Sequence, residues 1–281
     1  MFKQLFLLAL LSLITLPAFA KSQTTINCSN KVYLLAMNAN TKDLKKTDLD
    51  RTRIINTFKS LYKKRLIVTS LNNVTVSDYT KNIKKIKRKV GRNDCFILYF
   101  SGHATVVGDE NGDEGNDGLD EALMAFTTKE VHTIDELILD DTLAKDLNEI
   151  NTDHLAVILD TCLSGGMSKE MSFSNINKVN KFWFFPDLVS SQKKNKKSYA
   201  SHSDPQSLID HGKGVLISAA DESESAWEYQ NGKIQGGIFT YYFTKALLHH
   251  KGNYAKAFSD TQFKVHHQTN DEQNPKWSYY R

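Results

Sequence analysis

The chain is short of cysteine, of long apolar runs and of charge imbalance, and each shortage narrows what it can be. Its 281 residues hold three cysteines, Cys28, Cys95 and Cys162. An odd count allows one bridge with one thiol left over, not a dense disulfide framework. Past the N-terminus no stretch approaches the roughly 20 apolar residues that a membrane-spanning helix needs. The 36 Lys and Arg against 32 Asp and Glu leave a net charge of +4, too little by itself to argue for nucleic acid. Lysines do cluster in "KNIKKIKRKVGR" (81–92), and such a run reads as a solvated helix face. No repeat and no low-complexity tract interrupts the chain.

What is there begins with "MFKQLFLLALLSLITLPAFA". Lys3, an apolar core, Pro17 and the ending Ala18-Phe19-Ala20 form a secretory leader, with cleavage expected after Ala20. Residues 1–20 are therefore a signal peptide, and the mature chain is expected to be exported, to a periplasm or beyond, with no membrane attachment. Disulfides are permitted there. Cys28 precedes the strand-like "KVYLLAM" and Cys95 opens the strand-like "CFILYF". If these strands are parallel neighbours their starts are close, which predicts a Cys28–Cys95 bridge and a free Cys162.

Strand and helix patterns alternate along the chain. Apolar, β-branched runs predict strands at 32–37, 65–71, 95–100, 155–160 and 214–220. Helical spacing predicts helices over 48–64, 76–90, 134–150, 237–250 and 254–269, the second capped by Ser77 or Asp78. Continuous apolar strands between helices imply an α/β fold, a mainly parallel sheet covered on both faces. Function in such sheets gathers at the carboxyl ends of strands. The third strand runs into "YFSGHAT", with His103, and the fourth into "DTCLSGG", with Cys162. A thiol with an ordinary pKa near 8.5 is only a few per cent thiolate at neutral pH, and an imidazole beside it supplies the missing base.

The words "ILYFSGHAT", "DENGDEGNDGLDEAL", "AVILDTCLSGG", "GVLISAADESESAWE" and "GGIFTYYFTKAL", in that order and with "QNPKW" at the end, resemble the caspase-like cysteine peptidases. The bacterial metacaspase-like branch is the nearest in wording, and the resemblance runs from about residue 30 to 277. It implies a caspase-like α/β/α sandwich, one peptidase domain over 21–281, and a linker at 171–213 that is cut on activation in some members.

By that resemblance Cys162 is the nucleophile and His103 the general acid and base. The backbone N–H groups of Cys162 and Ala104 form the oxyanion hole. Asp50, Ser101 and Asp160 line a pocket for the residue before the scissile bond. Their charge implies peptide or protein substrates with Arg or Lys there, because paired carboxylates match a guanidinium or ammonium. No cofactor is needed for the chemistry. Calcium is an activator in many relatives, and the matching acids here are Asp120, Asp140 and Asp141, hard oxygen donors suited to that ion. The acidic loop around 109–121 does not meet EF-hand spacing. A monomer is expected. Two positions depart from the family pattern: Leu163 stands where a His usually follows the nucleophile, and Ala104 where a Gly usually follows the histidine. A catalytically silent binding module and a legumain-like hydrolase are the competing readings.

Overall fold

The computed structural model describes residues 26, 28–108, 119–129, 133–162, 177–190, 214–221 and 224–279. The expected leader and the loop at 109–118 lie outside these. So do Leu163 and most of the 171–213 linker, save 177–190.

Twelve strands and six α-helices are seen among the described residues: β1 Val32–Asn38, α1 Thr47–Tyr62, β2 Leu66–Leu71, α2 Val76–Lys87, β3 Cys95–Ser101, β4 Ala104–Gly108, β5 Leu119–Met124, β6 Leu137–Leu139, α3 Asp140–Asn148, β7 His154–Asp160, β8 Lys178–Asn180, α4 Pro186–Ser190, β9 Gly214–Ser218, β10 Trp227–Tyr229, β11 Gly236–Gly237, α5 Ile238–His249, α6 Tyr254–Gln268 and β12 Lys276–Tyr279. The main sheet has the order β12-β9-β7-β3-β1-β2. All its pairings are parallel except β12 against β9.

The apolar runs explain the layering. In β1, β3 and β7 almost every residue is buried, as strands covered on both faces require. Alternate side chains serve alternate faces. Val32, Leu34, Ala36, Ile97, Tyr99, Ala156 and Ile158 pack with Ile54, Ile55 and Phe58 of α1, Phe239 and Phe243 of α5, and Tyr254 and Phe258 of α6. Tyr33, Leu35, Met37, Phe96, Leu98, Phe100, Val157 and Leu159 pack with Tyr79, Ile83 and Ile86 of α2 and Leu143 and Leu147 of α3. Each such aliphatic or aromatic side chain contributes roughly 1.5–3 kcal/mol on burial. The α/β/α sandwich with a mainly parallel central sheet is thus the observed architecture. The lysines of α2 point outward from this core, Lys81, Lys84 and Lys85 exposed.

Two expectations are corrected. The helix over 134–150 begins only at Asp140. Leu137, Ile138 and Leu139 instead pair antiparallel with Met124, Leu123 and Ala122, because burial against β5 outweighs helical spacing in a short apolar run. The cap of α2 is Thr75, whose hydroxyl accepts the Asp78 N–H at 3.1 Å. Asp78 reciprocates as the third residue of a capping box.

Cys28 and Cys95 are joined in a disulfide, with Cα atoms 5.5 Å apart. Cys95 opens β3 opposite Val32 of β1, four residues beyond Cys28. Cys162 is free and buried.

Candidate active site

β3 and β7 are neighbours in register, Ser101 opposite Asp160. His103 lies two residues beyond Ser101 and Cys162 two beyond Asp160. Equal overhangs from adjacent parallel strands bring imidazole and thiol to one edge of the sheet, where open α/β sheets bind their ligands.

His103 is fully buried. Its Nε2 lies 3.1 and 3.2 Å from the two carboxylate oxygens of Asp43, in the loop after β1. A carboxylate only accepts, so this pairing holds the imidazole proton on Nε2 and leaves Nδ1 as the acceptor. Nδ1 has no hydrogen-bond partner among the described residues. Burial pushes the Asp43 carboxyl up, but the hydrogen bond and charge of His103, with Thr41, outweigh it and hold the group at about 2. Nothing in the composition or spacing of "TKDL" marks Asp43 for this place.

The Cys162 thiol is 3.1 Å from Asn180 Oδ1, and its sulfur accepts the Ala226 N–H at 2.9 Å. Burial pushes this thiol up to about 12, against the pull of the Ala226 N–H and of the charge and backbone of Lys181. In this arrangement it is a protonated thiol.

Beside the thiol, Asp50, Ser101 and Asp160 converge. Ser101 donates to Asp50 Oδ2 at 3.0 Å, and the Gly237 N–H donates to the same oxygen at 2.8 Å. Thr240 binds Asp160 Oδ2 through both its N–H and its hydroxyl. The pair Gly236-Gly237 makes this approach possible: a methyl group at Gly236 would collide with Asp50, and one at Gly237 with Asp160 Oδ2. Gly236 also holds φ at +89°, a backbone region glycine enters without strain.

A cation occupies the pocket. Lys181 Nζ lies 2.9 Å from Asp160 Oδ1, 3.4 Å from Asp50 Oδ2 and 2.9 Å from Ser101 Oγ. It also donates to the Asp160 carbonyl at 3.2 Å. Arg53 reaches Asp50 from the rim at 3.3 Å. Burial lowers Lys181, but Asp160 and Asp50, with Glu228, more than reverse that and raise it to about 12. Burial pushes Asp50 up to about 6, with Asp160 adding to the rise and Lys181 and the Gly237 N–H opposing it. Glu228, a third acid that sequence spacing did not reveal, takes the Lys45 and Lys46 N–H groups on Oε1. Its burial raises it to about 7 against the Lys181 charge.

The Lys181 backbone is held as firmly. Its carbonyl accepts the Ala104 N–H at 3.0 Å and its N–H donates to the Ala226 carbonyl at 2.9 Å. Ala104, despite its methyl group, therefore presents its N–H to the Lys181 carbonyl, which also accepts the Thr161 hydroxyl at 3.3 Å.

The family model for the caspase domain matches residues 26–280. The chain belongs to the caspase-domain family of cysteine peptidases. No curated protein matches. Among solved structures, the crystal structure of a protein from Geobacter sulfurreducens is similar at 21% identity and a TM-score of 0.59, covering 88% of this chain and 92% of that one. That likeness concerns the fold.

Within this caspase domain the acids matched to calcium lie apart from the Cys162 edge: Asp120 is on β5, and Asp140 and Asp141 open α3. Among the described residues no three His, Cys, Asp or Glu side chains gather closely enough to hold a metal ion. The aromatic run "FWFF" (182–185) divides its duties. Phe182 packs against the α1/α5 core, Phe185 against the β4–β6 sheet, and the Trp183 ring meets His103 edge-on at 5.5 Å.

Proposed function

We propose that this caspase domain is an exported cysteine endopeptidase that hydrolyses peptide bonds after Lys or Arg. One observation carries the reading: a fully buried ammonium beside the cysteine, ringed by Asp50, Ser101 and Asp160. A buried cavity with two carboxylates stabilises a cation and excludes an acidic side chain, which would add a third negative charge without a partner.

The steps follow from the groups present. His103 Nδ1 takes the Cys162 proton as the sulfur attacks the carbonyl carbon. The Ala104 N–H, with that of Cys162, meets the negative charge developing on oxygen. The tetrahedral intermediate collapses, the C–N bond breaks, and His103 returns the proton to the leaving amine. Water then hydrolyses the thioester, restoring the thiol and releasing the carboxylate. Asp43 holds the ring and stabilises the imidazolium formed on the way. The leader at 1–20 and the Cys28–Cys95 bridge support export, and a monomer suffices because one chain supplies every group named.

The protonated, covered thiol favours a second reading, a silent binding module. Fluorogenic peptides ending in Arg, Lys, Asp or Asn, offered to the mature protein and to Cys162→Ala with calcium or a chelator, separate the two. Release after Arg or Lys that vanishes in the variant supports the peptidase. No release of any peptide supports the module, and release after Asn the legumain-like specificity. Loss of activity in chelator would make calcium an activator.

A further inference from the structure

Glu228 is fully buried, and none of the hydrolytic steps uses it. It lies in the middle of β10, the central strand of a three-stranded sheet, opposite Val179 of β8 and Gly237 of β11. Its backbone is therefore fixed beside the glycine whose N–H holds Asp50. Its side chain reaches the segment that joins β1 to α1. There Oε1 accepts the Lys45 N–H at 2.9 Å and the Lys46 N–H at 3.1 Å. Gln230, two residues on, donates its amide to the same Oε1 and, at 3.1 Å, to the Asp43 carbonyl. Lys46 is the N-cap of α1, and its own side chain makes no capping bond. A carboxylate brought in from β10 is thus the charge-assisted acceptor that this helix start does not supply itself. The clamped segment leads to both halves of the site. Asp43, two residues before Lys45, holds the His103 imidazole. Asp50, four residues after Lys46, donates its N–H to the Lys46 carbonyl and presents its carboxylate to Lys181. Glu228 Oε2 has no hydrogen-bond partner among the described residues, and the charges acting on the group are those of Lys181 and Asp50.

We infer that Glu228 is a positioning residue: through Oε1 it fixes the segment 43–46, so that Asp43 meets the His103 imidazole while Asp50 meets the pocket cation. The inference rests on the peptidase reading above and adds to it the group that keeps base and pocket in register. The acceptor oxygen and the charge of Glu228 do separate jobs. The oxygen holds the Lys45 and Lys46 N–H groups, and a carboxamide oxygen can replace it there. The charge joins those of Asp50 and Asp160 around the cation, and a carboxamide cannot supply it. Alanine supplies neither. Two N–H groups then lose their acceptor, and the drift of the segment is felt at the imidazole, where misplacement by about 1 Å costs up to about 10²-fold in rate.

The test compares the mature protein with Glu228→Ala, Glu228→Gln and Gln230→Ala, by turnover of Lys peptides and by imidazole NMR of histidine-labelled protein, the His103 signal being assigned through His103→Gln. Assays run at pH 8, above the value of about 7 to which burial raises Glu228, so the wild-type group is charged. In the wild type the His103 Nε2 proton, held by Asp43, is expected as a slowly exchanging signal. Glu228→Gln should keep that signal and keep kcat within about twofold while raising KM, the mark of binding energy lost without loss of alignment. Glu228→Ala should shift or broaden the signal and lower kcat roughly 10-fold, a part of what a positioned acid–base group supplies. Gln230→Ala should move the signal less and in the same direction, and it carries the test if Glu228→Ala does not fold. A His103 signal and a kcat unmoved in the alanine variants overturn the inference and leave the peptidase reading intact. So does a Glu228→Gln protein as impaired in kcat as Glu228→Ala. If the wild type turns over no peptide, the peptidase reading fails by itself and the NMR signal decides the positioning: lost in Glu228→Ala and kept in Glu228→Gln supports it, unmoved in both overturns it.

Discussion

The ammonium of Lys181 and the carboxylate of Asp160 stand 2.9 Å apart, both side chains fully buried. Such a pair is no large net gain over an apolar one, but breaking it by removing one partner costs about 3–5 kcal/mol. Lys181→Ala is expected to lower unfolding stability by about 3 kcal/mol. Lys181→Arg should lower it far less. Urea denaturation measures both.

The pH dependence of that pair has a definite sign. Lys181 titrates at about 12 in the fold against 10.5 ordinarily. Its stabilisation is therefore complete below 10.5 and is lost as pH rises through 12. Asp50 is raised from 3.8 to about 6, so it favours the fold most below 3.8 and that contribution is lost as pH rises through 6. Lys181→Met should remove the alkaline loss of stability, read from melting temperature against pH.

Much of this was legible in the sequence, for physical reasons. β1, β3 and β7 are apolar along nearly their whole length, so a sheet covered on both faces and the strand-end positions of His103 and Cys162 followed from pattern alone. Asp50, Ser101 and Asp160 came from the ordered words, and the structure gathers all three around one cation. Lys181 was not legible, because one lysine among 30 carries no local mark of burial; only the antiparallel pairing of β8 with β10 puts it in the pocket. Asp43 sits in an irregular loop whose path is set by Thr41 and Leu44, and no spacing rule links it to His103. The run Leu137–Leu139 misled because three apolar residues satisfy a helix and a strand equally.

Pocket charge should set specificity. Asp160→Asn is expected to reduce kcat/KM for Lys and Arg peptides roughly 10²-fold or more, as truncating one partner of a buried charge pair costs 2–5 kcal/mol. It should not confer cleavage after Asp, since Asp50 and Glu228 remain. Gly237→Ala should act similarly by pushing Asp160 away from the cation.

Asp43 should govern the imidazole. Asp43→Ala frees Nε2, and kcat is expected to fall roughly 10²-fold, within the range that positioned acid–base groups supply, with KM little changed. Because Asp43 is held near 2 against 3.8 ordinarily, its contribution to stability is present above pH 3.8 and is lost as pH falls toward 2. The acid limb of unfolding should lose that component in the variant.

Thiol reactivity reports whether the groove is filled. With Cys162 raised to about 12, alkylation by iodoacetamide at pH 8 should be on the order of 10³-fold slower than for an ordinary cysteine of pKa near 8.5.

The most direct measurement is the ratio of kcat/KM for otherwise identical peptides ending in Lys and in Asp, on the mature protein and on Cys162→Ala. Hydrolysis after Lys that exceeds that after Asp by at least about 10³-fold, the scale of a buried charge pair, and that disappears in the variant is the predicted result. Equal or greater hydrolysis after Asp, or Lys cleavage that survives the loss of Cys162, would contradict it.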